Sequence, residues 1–75
     1  MTVETSGISA HERREMIARL VDEDQRVSVG DLTDRFRVTD ASIRRDLILL
    51  EDAGRLRRVH GGAVSHAAKL SSGAY

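Results

Sequence analysis

Thr39-Asp40-Ala41-Ser42-Ile43-Arg44-Arg45-Asp46-Leu47-Ile48-Leu49-Leu50-Glu51-Asp52-Ala53-Gly54 is the stretch on which the fold turns. Thr39 is a good N-cap, because its hydroxyl can accept an amide proton from the first helical turn. Ile43, Leu47 and Leu50 then fall at i, i+4 and i+7, the stripe of an amphipathic helix, and Gly54 supplies a C-terminal stop. The spacing predicts a helix over Asp40 to Ala53. At about 100° per residue, Ala41, Arg45, Ile48 and Asp52 point away from the stripe, with Ser42 and Arg44 on the flanks. One side of this helix needs a core to cover it, and the other is free to meet a partner.

Upstream, Ser28 followed three residues later by Asp31 places an N-cap and an acid in a first turn, and Leu32 with Phe36 forms an i, i+4 apolar pair. A short helix from Val29 to Phe36 follows, joined to the next by Arg37-Val38. Further back, Ser9-Ala10-His11-Glu12 is a capping-box pattern, and Met16, Ile17, Leu20 and Val21 form an apolar stripe, which predicts a helix from Ala10 to Asp24. Val27-Ser28-Val29 alternates just long enough for a short edge strand leading into the second helix. Downstream the period changes. Leu56 and Val59 flank arginines, Gly61-Gly62 marks a turn and Ala63-Val64 is a second apolar run, as in a small hairpin. Residues 1–8 read as a loose tail, 9–65 as the folded domain, and 66–75, with Ser71-Ser72-Gly73, as a tail or linker stub.

The whole chain has 75 residues, 40% of them hydrophobic, with one Phe, one Tyr and no Trp. Independent domains run from about 50 to about 250 residues, so one small domain with an aliphatic core is expected. The lack of cysteine excludes disulfides and thiolate zinc sites. The longest apolar runs fall far short of the roughly 20 residues that cross a bilayer, and no basic-then-apolar signal opens the chain, which reads as soluble, cytoplasmic and without a membrane partner. Twelve basic residues cancel twelve acidic ones, and that balance argues mildly against DNA as a partner, since DNA-binding domains are usually basic. The distribution argues the other way. Residues 1–30 carry four Arg against six acids, whereas residues 31–75 carry seven Arg and one Lys against six. Arg55-Leu56-Arg57-Arg58-Val59-His60-Gly61-Gly62, with three arginines and no acid, is the electrostatic outlier.

Two helices joined by a tight turn, the second carrying arginine on its outer face, form the helix-turn-helix that lays its second helix in the DNA major groove. Periodicity alone equally allows a three-helix bundle whose charges merely solvate it. Arg44 and Arg45 have the chemistry to donate paired hydrogen bonds to guanine or to clamp phosphate, or are ordinary solvated charges. Ile48 suits a thymine methyl, a partner protein or nothing, and with Leu49 it forms a candidate apolar patch. Arg57, Arg58 and His60 beside Gly61 and Gly62 suit a basic hairpin whose backbone comes close to sugar and phosphate; the alternative is a solvated turn needing glycine only for positive φ. His11, His60 and His66 lack metal-ligand spacing, and no nucleophile, base and acid stand together, so no metal, cofactor or catalytic activity is expected.

Val27-Ser28-Val29, Leu32, Phe36-Arg37-Val38-Thr39, Ser42-Ile43-Arg44-Arg45-Asp46-Leu47, Leu50-Glu51, Gly54 and Arg58-Val59-His60-Gly61-Gly62-Ala63 together resemble the N-terminal domain of the DeoR-type family of bacterial transcription regulators. The resemblance runs from about Glu12 to Val64. It implies a mainly α fold with a small β-hairpin, a winged helix-turn-helix of three helices plus a wing. It also implies binding to operator DNA at the bacterial nucleoid, usually to repress genes of sugar or nucleoside catabolism. In that family a larger domain follows, which senses a phosphorylated sugar and holds most of the oligomer contacts; without it this domain is expected to be monomeric. Arg44 and Arg45 match the paired arginines of the family's recognition helix, Ser42 the small polar position beside them, and Asp46 the following acid, read as orienting an arginine. Arg37 stands where the family often has a small residue, and Ile48 and Leu49 where polar residues are common. The candidate DNA contacts are therefore Thr39, Ala41, Ser42, Arg44, Arg45 and Ile48 with Arg57, Arg58, His60, Gly61 and Gly62. A winged-helix module that binds protein and not DNA is the alternative, and the neutral net charge and the Ile48-Leu49 pair favour it.

Overall fold

The computed structural model describes residues 8–65; the expected linker stub at 66–75 and all of the expected tail at 1–8 except Ile8 lie outside the described residues. The first helix, α1, runs from Ala10 to Asp24. Its capping box is complete: the Ser9 hydroxyl accepts the Glu12 amide at 3.0 Å, and the Ser9 amide donates to Glu12 Oε1 at 3.1 Å. Gln25 ends the helix in the left-handed region (φ 75°) and turns the chain into strand β1, Arg26–Ser28. The expected strand over Val27–Val29 is thus shifted back by one residue. Val29 starts α2 (Val29–Phe36), and its amide donates to Gly61 O at 2.8 Å.

The turn between α2 and α3 (Asp40–Asp52) is made by a non-glycine residue in left-handed backbone, Arg37 with φ 58° and ψ 46°. That conformation costs roughly 1 kcal/mol in an L-residue with a Cβ. The Arg37 amide still closes the α2 end by donating to Thr33 O at 2.8 Å. Thr39 caps α3 as expected, accepting the Ser42 amide at 3.1 Å. The helix stops one residue before Ala53. Gly54, at φ +76°, donates to Glu51 O, and Arg55 donates to Leu50 O, both at 2.9 Å, which is the pair of bonds that defines a Schellman ending.

Strands β2 (Arg57–Val59) and β3 (Gly62–Val64) form the wing, and β1 joins them in an antiparallel sheet of order β1-β3-β2. β3 is therefore the central strand, with Gly62 opposite both Ser28 and Val59. A Cβ on Gly62 would lie 2.0 Å from the Val27 carbonyl oxygen, so glycine is required there by the sheet itself. The turn glycine is Gly61, at φ +79° with open space around its missing Cβ.

Three helices and the sheet close on one core, aliphatic but for Phe36: Ile17, Ala18 and Val21 of α1, Val29, Leu32 and Phe36 of α2, Ile43, Leu47 and Leu50 of α3, Leu56 just ahead of β2, and Ala63 of β3. Ile8, expected to belong to the loose tail, instead packs half-buried against this core just ahead of the α1 cap, because its apolar side chain gains more by covering the core than by staying in water. Met16 does not join this core. It is 42% exposed, because α1 is wedged between α3 and β1 and turns the Ile17-Ala18-Val21 arc inward, which carries Met16 to the far side.

Candidate nucleic-acid interface

The two adjacent arginines of α3 point about 100° apart, and each faces a different neighbour. Arg44 and Leu47 line a crevice closed on its other side by Arg58, Val59, His60, Gly61 and Gly62 of the wing and by Val29. Arg45 lines a second crevice, with Ala41, Ser42 and Asp46 from α3 and Ala10, Arg13 and Arg14 from α1. The outer face of α3 lies between these two crevices, with α1 on one flank and the wing on the other.

Ala41, Arg44, Arg45 and Ile48 are exposed on this face, and Ser42 is half-buried. Thr39 and Ser42 spend their hydroxyls on the helix end: beyond the cap itself, Thr39 Oγ1 lies 3.2 Å from Ser42 Oγ. Leu49 is as exposed as Ile48, at 44% and 42%. On the wing, Arg57, Arg58, His60 and Gly61 are exposed, but Gly62 is buried in the sheet. The expectation that Gly62 lets the backbone approach phosphate is corrected on that point: the space of its missing side chain is taken by the Val27 carbonyl.

The arginines differ in freedom. Among the described residues Arg44, Arg45 and Arg57 have no ion pair, whereas Arg58 is held by Glu51 at the end of α3. The Arg58 amide donates to Glu51 Oε2 and its Nε to Oε1, both at 3.0 Å. Those two hydrogen bonds, the backbone one first, hold the Glu51 carboxyl below the usual carboxylate range. The wing is thereby tied to α3 by a bond that leaves the outward arginines untouched.

Asp46 is only 1% exposed, although it lies in the most charged part of the chain. It accepts from Arg13 through both carboxylate oxygens, Nε to Oδ2 and Nη2 to Oδ1, the latter at 3.1 Å, and from Arg14 Nη1 at 3.3 Å. The hydrogen bond to Asp46, more than simple attraction, raises the Arg13 pKa further above its ordinary value. Asp46 does orient arginines, as expected, but they are those of α1 and not its neighbours Arg44 and Arg45. Sequence reading missed Arg13, Arg14 and Glu51. A signal for the first two exists: an acid between Ile43, Leu47 and Leu50 has no place in an apolar stripe unless a cation covers it, and Arg13 and Arg14 precede Ile17 and Val21 by about one turn and two turns on the inward arc of α1. Glu51 had no such signal, because its partner is set by where the wing folds back.

Among the described residues no group of His, Cys, Asp or Glu could hold a metal ion, and no helix is long and apolar enough to cross a membrane.

The sequence profile of the DeoR-like helix-turn-helix domain matches residues 13–69. The chain belongs to the DeoR-like helix-turn-helix family. This DeoR-like domain is 46% identical over 57 residues to the transcriptional repressor AccR of Agrobacterium fabrum, which covers 76% of this chain and 22% of that protein. It is 39% identical over 59 residues to the lactose phosphotransferase system repressor of Staphylococcus aureus, covering 79% of this chain and 24% of the relative. With the repressor of the same name from Streptococcus mutans it shares 42% identity over 55 residues, 73% of this chain and 22% of the other. The chain thus spans less than a quarter of the length of these curated relatives. No solved structure matches it. DeoR-like helix-turn-helix domains are the DNA-binding parts of transcription regulators, and double-stranded DNA is the partner that membership brings.

Proposed function

We propose that this domain recognises operator DNA by seating α3 in the major groove and resting the wing on the backbone. Arg45 reads a base edge, with Ala41 and Ile48 packing on apolar base surface such as a thymine methyl. Thr39 and Ser42 sit at the entry to the groove, and Arg44, Arg57, Arg58, His60 and the Gly61 backbone meet phosphate and sugar. The observation that carries this reading is the convergence of Arg44, Arg58 and His60 on one crevice between α3 and the wing. Two parts of the sequence, α3 and the wing, bring cationic or protonatable side chains to one place and leave Arg45 and Ile48 outermost beside it. A duplex also explains an exposed Ile48 without a protein partner.

In this reading residues 9–65 are the DNA-binding unit, acting in the cytoplasm at the nucleoid and carrying no catalytic activity. The full-length protein is a repressor of carbohydrate-related genes whose further domain senses a phosphorylated sugar and holds the oligomer together; the names of the lactose phosphotransferase system repressors support the sugar connection. The domain alone is then a monomer that binds a half-site weakly. Titration of a labelled random duplex at low and high salt is the first test. Binding that weakens steeply with salt is expected, and salt-insensitive or absent binding refutes the reading in favour of a protein-interaction module.

A further inference from the structure

We propose that α1 is a second backbone clamp, with Arg14 binding a DNA phosphate on the side of α3 opposite the wing, held there by Asp46. The inference rests on the reading of α3 as the groove helix. An α-helix with its side chains is about 10–12 Å across, and the major groove is about 12 Å wide. A helix seated there fills the groove, so phosphates line both of its flanks. On one flank stands the wing with Arg57, Arg58 and His60. On the other stands the head of α1, where Arg13, Arg14 and Arg45 surround a crevice whose single acid is Asp46. Ala10, Ala41 and Ser42 line the rest, and their small side chains leave the guanidinium groups approachable.

The two α1 arginines have different parts. Arg13 spends a bidentate pair on Asp46 and is 14% exposed. Arg14 gives Asp46 one N–H at 3.3 Å and is 25% exposed, with no other side-chain hydrogen bond among the described residues. A guanidinium has five donors, so Arg14 retains four for an incoming phosphate while its position is set from behind. Three guanidinium groups against one carboxylate leave the crevice with a surplus of two positive charges, the sign a phosphate needs. Asp46 is thus a positioning residue: buried, it never meets DNA, and it draws the α1 arginines to the head of α3.

The test measures binding of the 75-residue chain to a fluorescent random-sequence duplex as a function of salt, for R14Q, R57A and R19Q. Arg14→Gln keeps a donor for Asp46 and removes the charge. Arg19 lies on the exposed side of α1 beside Met16 and Glu23, away from α3, and serves as the control. R14Q should flatten the slope of log K against log salt by about 0.9, the value for one phosphate contact, and should do so equally on every duplex, while R19Q leaves it unchanged. An unchanged slope in R14Q alongside a flattened one in R57A overturns the α1 clamp and leaves α3-and-wing binding standing. A wild-type chain with no salt-dependent binding overturns the reading on which both rest. Should R14Q not fold, R14K gives a second readout: the introduced amine should be shielded from acylation by bound duplex, as resolved by peptide mass, and equal labelling with and without DNA overturns the proposal.

Discussion

Replacing Asp46 with Ala is the sharpest test of how this domain is assembled. The substitution removes a carboxylate that is 1% exposed and accepts three hydrogen bonds from two arginines thirty-odd residues away in sequence. Removing one partner of a fully buried ion pair typically costs about 3–5 kcal/mol, because the other charge is left uncompensated. Here the stranded guanidinium groups are 14% and 25% exposed, so both can turn partly into water and recover solvation. That places the cost at or just below the low end of this range, about 2–3 kcal/mol. In a domain this small a single core rarely supplies more than about 3–5 kcal/mol, so the variant should be close to unfolding at room temperature. Urea melts followed by circular dichroism provide the assay. With a slope near 1 kcal/mol/M, the midpoint should fall by about 2–3 M, and the melting temperature by roughly 8–24 °C. Replacing Arg13 and Asp46 together, by Met and Leu, should recover much of the loss, since an apolar pair of similar volume spares both desolvation penalties. A loss below about 0.5 kcal/mol for D46A, the usual bound for a surface site, would refute the claim that the α1–α3 contact is held by a buried charge.

Gly62→Ala should destabilise by about 1–3 kcal/mol or more, because its Cβ would meet the Val27 carbonyl oxygen at 2.0 Å, whereas Gly61→Ala should cost only about 1 kcal/mol for its positive φ; thermal melts that rank the two the other way contradict the sheet geometry. Arg45→Ala should lose about 1–3 kcal/mol on the best operator and much less on random duplex, and equal losses in paired titrations would make Arg45 a backbone contact. Glu51→Gln should tighten binding to random duplex several-fold and steepen its salt slope, since it frees the Arg58 guanidinium for phosphate while an amide oxygen still accepts the Arg58 N–H. Because the Glu51 carboxyl is held low in the folded domain, its stabilising effect is present above the ordinary carboxylate range and is lost as pH falls through its lowered value; acid melts of wild type and E51Q should therefore converge at low pH.

Local structure was legible in the chain of residues alone. The caps Ser9, Ser28 and Thr39 sit beside the stripes they open, and Gly54 beside the stripe it ends, so each helix was legible within one or two turns of chain, to within a residue at its ends. The outward face of α3 followed from the same arithmetic, because the angle between Ile43 and Arg45 belongs to any α-helix. Hydrogen-bond partners far apart in sequence were not legible in this way. That β3 and not β2 is the central strand depends on β1 arriving from about 35 residues upstream, as does the demand for glycine at position 62. Met16 satisfied the helical period as well as Ile17 did. Only the placement of α1 between α3 and β1 decided which of them is buried. The same holds at the interface: adjacent arginines on α3 are one feature of sequence, but tertiary structure sends Arg44 to the wing and Arg45 to α1, and gives Asp46 to Arg13 and Arg14. Periodicity fixes directions around a single axis, whereas a buried charge finds its partner only when a second axis is laid beside the first.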